Sequence, residues 1–114
     1  MHEMSLLVYV VDEVEKVAKE NNAKKVETIT LEYGEVSGIL ADCMVDFWEL
    51  ISKRSELLKD SKLILEMLPA VTVCNDCGKR YPTVEFAKVC PSCKSKNTEL
   101  LCGSEFNIKE IAIA

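Results

Sequence analysis

The chain has one histidine among 114 residues, four glycines, three prolines and one tryptophan. Each scarcity narrows what it can do. The histidine stands at position 2, so no imidazole is placed along the body of the chain to serve as general base beside a nucleophile. The glycines form no Gly-rich phosphate-cradling loop. Basic residues are outnumbered, 14 Lys and Arg against 19 Asp and Glu, giving a formal net charge of −5. Such a balance offers no long-range attraction to a phosphate backbone, so nucleic acid is a poor expected partner. No run reaches the roughly 18 to 20 apolar residues of a membrane span, and Met1 to Ser5 lacks the basic flank of a signal peptide. The expectation is a soluble cytoplasmic protein with no membrane partner.

Apolar residues make up 48% of the chain and charged residues 29%, an ordinary globular balance. At this length one core is expected, and any second unit must be small and lean on metal. Leu7, Val10, Val11, Val14, Val17 and Ala18 recur at the spacing of one helical face, with Asn21 and Asn22 as a stop. Lys25 to Tyr33 switches to period two, placing Ile29, Leu31 and Tyr33 on one face of a strand and Thr28, Thr30 and Glu32 on the other. A second helix is predicted from about Leu40 to Leu58, then strands over Lys62 to Leu68 and Glu105 to Ile113 that could pair in one sheet. The predicted fold class is α+β, a small mixed sheet covered by two helices with an inserted four-cysteine zinc-knuckle module. The corresponding domains are 1–69 plus 104–114, and 70–103.

Six cysteines in a chain without a signal peptide are expected as free thiols available to metal. Cys74, Cys77, Cys90 and Cys93 form C-x2-C-x12-C-x2-C, two turns whose thiolates can converge as a tetrahedron about one Zn²⁺. Iron suits the same four sulfurs, because spacing does not separate the two metals. With every position filled by protein, the ion is structural. Gly78 fits a turn position that a Cβ would strain, and Lys79, Arg80, Lys88, Lys94 and Lys96 are expected to favour the thiolate form. Cys43 and Cys102 are expected in the core, with a sensor or spare-ligand role open for Cys102.

A second metal-binding chemistry gathers at the chain start. The α-amine of Met1, the backbone nitrogen of His2 and its imidazole can close fused chelate rings, with Glu3 contributing a further nitrogen or its carboxylate. Nitrogen-rich ligation suits Ni²⁺ or Cu²⁺. Glu35 and Asp42 are candidate further oxygens.

Met1-His2-Glu3-Met4-Ser5, the turn Gly34-Glu35-Val36-Ser37-Gly38, the pairs Cys74-x2-Cys77-Gly78 and Cys90-Pro91-x-Cys93, and Gly103-Ser104-Glu105-Phe106 together resemble the HypA/HybF hydrogenase maturation proteins. The resemblance covers essentially the whole chain. It implies a nickel metallochaperone, not an enzyme, that helps load Ni(II) into the large subunit of a nickel-iron hydrogenase with a HypB-type GTPase. It further implies nickel at His2, with Met1 and Glu3 beside it, and zinc at Cys74, Cys77, Cys90 and Cys93. A homodimer is compatible with this reading. The alternative is a zinc-ribbon module that binds protein or nucleic acid, and a thiol oxidoreductase is a third class.

Overall fold

The computed structural model describes residues 3–114 of the chain. Its elements run α1 (Glu3–Glu20), β1 (Val26–Gly34), α2 (Ala41–Ser52), β2 (Lys62–Leu68), β3 (Val71–Cys74), β4 (Arg80–Pro82), α3 (Thr83–Phe86), β5 (Thr98–Cys102) and β6 (Phe106–Ile113). Two three-stranded sheets result, ordered β2-β1-β6 and β4-β3-β5. Among the described residues, no helix is long and apolar enough to cross a membrane.

The chain divides into two compact units. One takes the chain up to Glu32 with Ile39–Glu66 and Asn107–Ala114, and the other takes Tyr33–Gly38 and Met67–Phe106. In the first, α1 buries Leu7, Val10, Val14 and Ala18 at helical spacing and packs against α2, which buries Met44 and Trp48. Helix α1 starts at Glu3, ahead of the apolar stripe, and an acidic residue in the first turn favours the positive end of the helix dipole. It stops as expected: Asn22 takes a left-handed conformation at φ 53°, and Asn21 Nδ2 donates to the Val17 carbonyl at 2.7 Å.

Strand β1 is the centre of its sheet, and Ile29, Thr30 and Leu31 are all buried, so strict one-sided alternation does not hold there. Val26 N–H donates to Leu57 near the start of β1, while Glu35 N–H donates to Leu68 after its end, so β2 runs parallel to β1. Lys24 N–H bonds to Ala114 and Gly34 N–H to Glu105, so β6 runs antiparallel. The sheet is therefore mixed. Strands β2 and β6 share it without pairing, because β1 lies between them.

The second helix ends at Ser52, six residues short of the predicted Leu58. Beyond it the backbone closes tight turns, Ser55 N–H to Ser52 and Leu58 N–H to Ser55. These turns still bury Leu58 fully, which is why its spacing mimicked a continuing helix. They also leave the Leu57 carbonyl free to accept from Val26 at 2.8 Å.

In the second unit β3 is central, pairing antiparallel with β4 and with β5. The segment Tyr33–Gly38 is fastened there by Val36 N–H to the Gly103 carbonyl at 2.9 Å and by Ala70 N–H to Glu35 Oε1 at 2.9 Å. The bond to Ala70 commits the Glu35 carboxylate within this unit, whereas Asp42 lies exposed in the first turn of α2. A Cβ on Gly34 would fall on the Gly103 carbonyl, which is backbone and cannot step aside. Gly34→Ala is therefore expected to destabilise the protein by about 3 kcal/mol. Denaturant unfolding checks this, and a wild-type midpoint would contradict it.

Candidate metal centre

Each CxxC turn is built from the same backbone bonds. In the first, Gly78 N–H donates to the Cys74 carbonyl at 2.8 Å and Cys74 N–H to the Lys79 carbonyl at 2.9 Å. In the second, Lys94 N–H donates to Cys90 and Cys90 N–H to Ser95, both at 2.9 Å. The residue four after the leading cysteine is left-handed in both, Gly78 at φ 78° and Lys94 at φ 64°. Gly78 meets that demand without strain, while Lys94 carries a Cβ into it. Lys94→Gly is expected to raise the stability of the metal-loaded protein by about 1 kcal/mol, and Gly78→Ala to lower it by about 1 to 2. Thermal unfolding with metal bound checks the pair, and a Lys94→Gly protein less stable than wild type would contradict the reading.

The turns bring all four Sγ atoms within 4.8 Å of one another. Cys74 and Cys93 lie 3.5 Å apart and Cys77 and Cys90 3.6 Å apart. A disulfide needs about 2.0 Å, whereas a tetrahedron with metal–sulfur bonds of about 2.3 Å sets its sulfurs about 3.8 Å apart. The spacing fits thiolates around one ion. Cys74 and Cys90 are buried and, with Tyr81, form this unit's apolar cluster, while Cys77 and Cys93 reach the surface. Tyr81 is fixed by its hydroxyl donating to Ala87 at 3.0 Å and by an edge-on contact with Phe86. Two of the four clustered cysteines thus form part of this unit's core, so an ion held by the four would add to its stability.

Local electrostatics point the same way. The Cys93 backbone N–H, helped by Ser92 and the neighbouring sulfurs, lowers the Cys90 thiol to about 6. The Cys77 backbone N–H likewise lowers Cys74. Cys93 is pushed up to about 12: the Ser95 N–H favours its thiolate, but the Cys74 sulfur, partial desolvation and the other two sulfurs outweigh it. Cys77 is raised in the same manner, the Lys79 N–H being overcome by the Cys90 sulfur and partial desolvation. The group thus mixes lowered and raised thiols, and a cation among the sulfurs would favour the thiolate form of all four. Backbone amides and neighbouring sulfurs set these shifts, rather than the side chains of Lys79, Arg80, Lys88, Lys94 and Lys96. Sequence alone pointed to those five side chains, whereas the turns wrap backbone N–H groups around the leading sulfurs.

Cys43 and Cys102 are half-buried rather than fully in the core, and the Cys102 thiol faces the Pro69 carbonyl at 3.6 Å without joining the four-sulfur group. Glu3 is the first residue of α1, and its Oε1 accepts from the Leu40 N–H at 3.4 Å, just before α2. Met1 and His2 lie outside the described residues. A feature the sequence reading missed is Asp76: the Ser95 hydroxyl donates to its carboxylate, and Asn97 Nδ2 donates to it at 3.2 Å, lowering its pKa. In the sequence these residues look like ordinary polar turn formers.

Comparison with known proteins follows the same outline. A family model described as hydrogenase/urease nickel incorporation, metallochaperone, HypA matches residues 1–113. The chain is 33% identical to the hydrogenase maturation factor HypA of Geobacter metallireducens, over 99% of each chain. It is 31% identical to that of Dehalococcoides mccartyi, over 99% of this chain and 94% of the other. The solution structure of the Ni metallochaperone HypA from Helicobacter pylori superposes with a TM-score of 0.71 at 28% identity, covering 99% of this chain and 97% of that one. A second HypA solution structure gives 0.75 at 27% identity, covering 100% and 97%.

Proposed function

Because this chain belongs to the HypA family of hydrogenase and urease nickel-incorporation metallochaperones, we propose that it takes up Ni(II) at its N-terminus and delivers it to the large subunit of a nickel-iron hydrogenase. The observation that carries this reading is the Met1-His2-Glu3 start on a chain matched to the family along residues 1–113. The α-amine, the His2 backbone nitrogen and the imidazole supply fused chelate rings, and Glu3 stands next in line. Nickel is cargo here, so the chain is a carrier and not an enzyme. A ligand set at a chain end can be exchanged one donor at a time with a receiving protein, for which a HypB-type GTPase and the hydrogenase subunit are the proposed partners. The proposed place of work is the cytoplasm.

Cys74, Cys77, Cys90 and Cys93 are assigned to Zn(II). The ion supplies the positive charge that gathers four thiolates, and the closed sulfur set leaves no position for substrate. The proposed division of labour follows the sequence: 1–69 with 104–114 carries nickel, and 70–103 carries zinc.

Protons compete with nickel for the imidazole and the amine. An imidazole titrating near 6.5 is protonated below that value, so nickel affinity should fall as pH drops through about 7 to 6. Calorimetric titration of Ni²⁺ into the zinc-loaded protein at several pH values tests the proposal. Affinity unchanged between pH 7.5 and 5.5 would remove the imidazole from the ligand set.

A further inference from the structure

The C-x2-C-x12-C-x2-C pattern joins its two turns only through the intervening chain and the shared ion. The structure adds a third connection, made of side chains. Asp76 lies inside the first turn. One of its carboxylate oxygens accepts from the Ser95 hydroxyl and the other from Asn97 Nδ2 at 3.2 Å, and both donors belong to the segment leaving the second turn. Ser95 is also the residue whose carbonyl closes the second turn by accepting from Cys90 N–H at 2.9 Å. Its hydroxyl accepts from Asn97 N–H at 3.1 Å, which ties the two donors to each other. Asn75 completes the clasp, with its N–H donating to the Asn97 carbonyl at 2.9 Å and its Nδ2 to Asn97 Oδ1 at 3.3 Å.

The sign of the charge shows what the clasp is for. Four thiolates around a divalent ion carry a net charge of two negative units, and a carboxylate one residue from Cys77 adds to it, which is electrostatically unfavourable. A lysine or an amide would serve the charge of the site better. What a carboxylate supplies in that place is two acceptors in a fixed plane, able to grip two donors at once through charge-assisted bonds. Its contribution is geometric.

We infer that Asp76 is a positioning residue for the metal: through Ser95 and Asn97 it holds the second CxxC turn beside the first, keeping the four sulfurs gathered and slowing release of the ion. The inference rests on the reading of the four cysteines as zinc ligands. Groups that orient metal ligands from outside are typically worth about 10- to 100-fold in metal affinity.

The test uses the full-length zinc-loaded protein and follows zinc transfer to the chromophoric chelator 4-(2-pyridylazo)resorcinol. Transfer from Asp76→Ala should be at least ~10-fold faster than from wild type, in the range expected for loss of an orienting partner. Asp76→Asn, which keeps one acceptor oxygen, should fall between the two. Asp76 acts through Ser95, so the Asp76→Ala/Ser95→Ala double variant should release zinc little faster than Asp76→Ala alone, a coupling that general destabilisation does not produce. The thiolate-to-cobalt absorption of the Co²⁺-substituted variants should still report four sulfurs. Wild-type protein that binds no zinc would defeat the metal assignment itself. Zinc-loaded wild type with an Asp76→Ala variant releasing at the same rate would overturn the clasp alone, as would single effects that multiply in the double variant. If Asp76→Ala does not fold, Ser95→Ala decides by the same rates: faster transfer supports the clasp and the wild-type rate overturns it.

Discussion

Replacing His2 by alanine is expected to lower nickel affinity by about 100-fold or more while leaving zinc content unchanged. Substituting a group that merely orients a ligand costs about 10- to 100-fold, and removing a ligand should cost more. In the proposed nickel site the imidazole closes the outer chelate ring, and without it the α-amine and the first backbone nitrogen would have much less to offer a metal that favours several nitrogen donors in a plane. Glu3→Gln should weaken nickel less, because the amide keeps the Glu3 backbone nitrogen and can still accept from Leu40 at the entry to α2. Calorimetry on the wild-type and variant chains reads the affinities, and hydrogenase nickel content in cells reads the consequence. Equal affinities for wild type and His2→Ala would remove the proposed site.

Cys74→Ser is expected to unfold much of the second unit. Cys74 is fully buried, leads the first turn, ends the central strand of its sheet and forms one third of the apolar cluster with Tyr81 and Cys90. A serine hydroxyl does not replace a thiolate that donates to the ion, and structural zinc in small domains contributes on the order of 10 kcal/mol. Bound zinc should fall from one per chain to near zero. Amide hydrogen exchange should become fast in Met67–Phe106 while α1 and α2 stay protected, because their core of Leu7, Val10, Val14, Met44 and Trp48 contains no metal ligand. Stoichiometric zinc retained by Cys74→Ser would contradict the assignment.

The parts of the fold that the sequence announced are those set by local rules. Strand β2 runs over Lys62–Leu68 as predicted, because Pro69 ends it and Leu63, Ile64, Leu65, Met67 and Leu68 fill most of it. The Asn21-Asn22 stop of α1 is equally local, a matter of one left-handed residue and one side-chain amide. Helix α2 was predicted too long because buried Leu58 keeps helical spacing through a series of turns, and spacing alone does not distinguish them. The order β2-β1-β6 also escaped the sequence, since no local pattern states which strand lies in the middle. The burial of Thr30 beside Ile29 and Leu31 follows from that central place.

At the candidate metal centre the convergence of the four cysteines was legible in their spacing, because two CxxC turns can bring their sulfurs to one point. The origin of thiolate stabilisation was not. It lies in backbone N–H groups, which every sequence possesses, and only the turn geometry aims them at Cys74 and Cys90. Asp76, Ser95 and Asn97 stayed hidden for a related reason. Their separation in sequence carries no pattern, and the clasp exists only once both turns have closed.

One chain is thus proposed to offer two unlike metal environments, nitrogen-rich at its start and all-sulfur in its second unit. X-ray absorption at the nickel and zinc edges of the doubly loaded protein reports both environments at once. The expected spectra show a nickel shell of nitrogen and oxygen donors with no sulfur, and a zinc shell of four sulfurs at about 2.3 Å. Sulfur in the nickel shell, or a zinc shell short of four sulfurs, would contradict it.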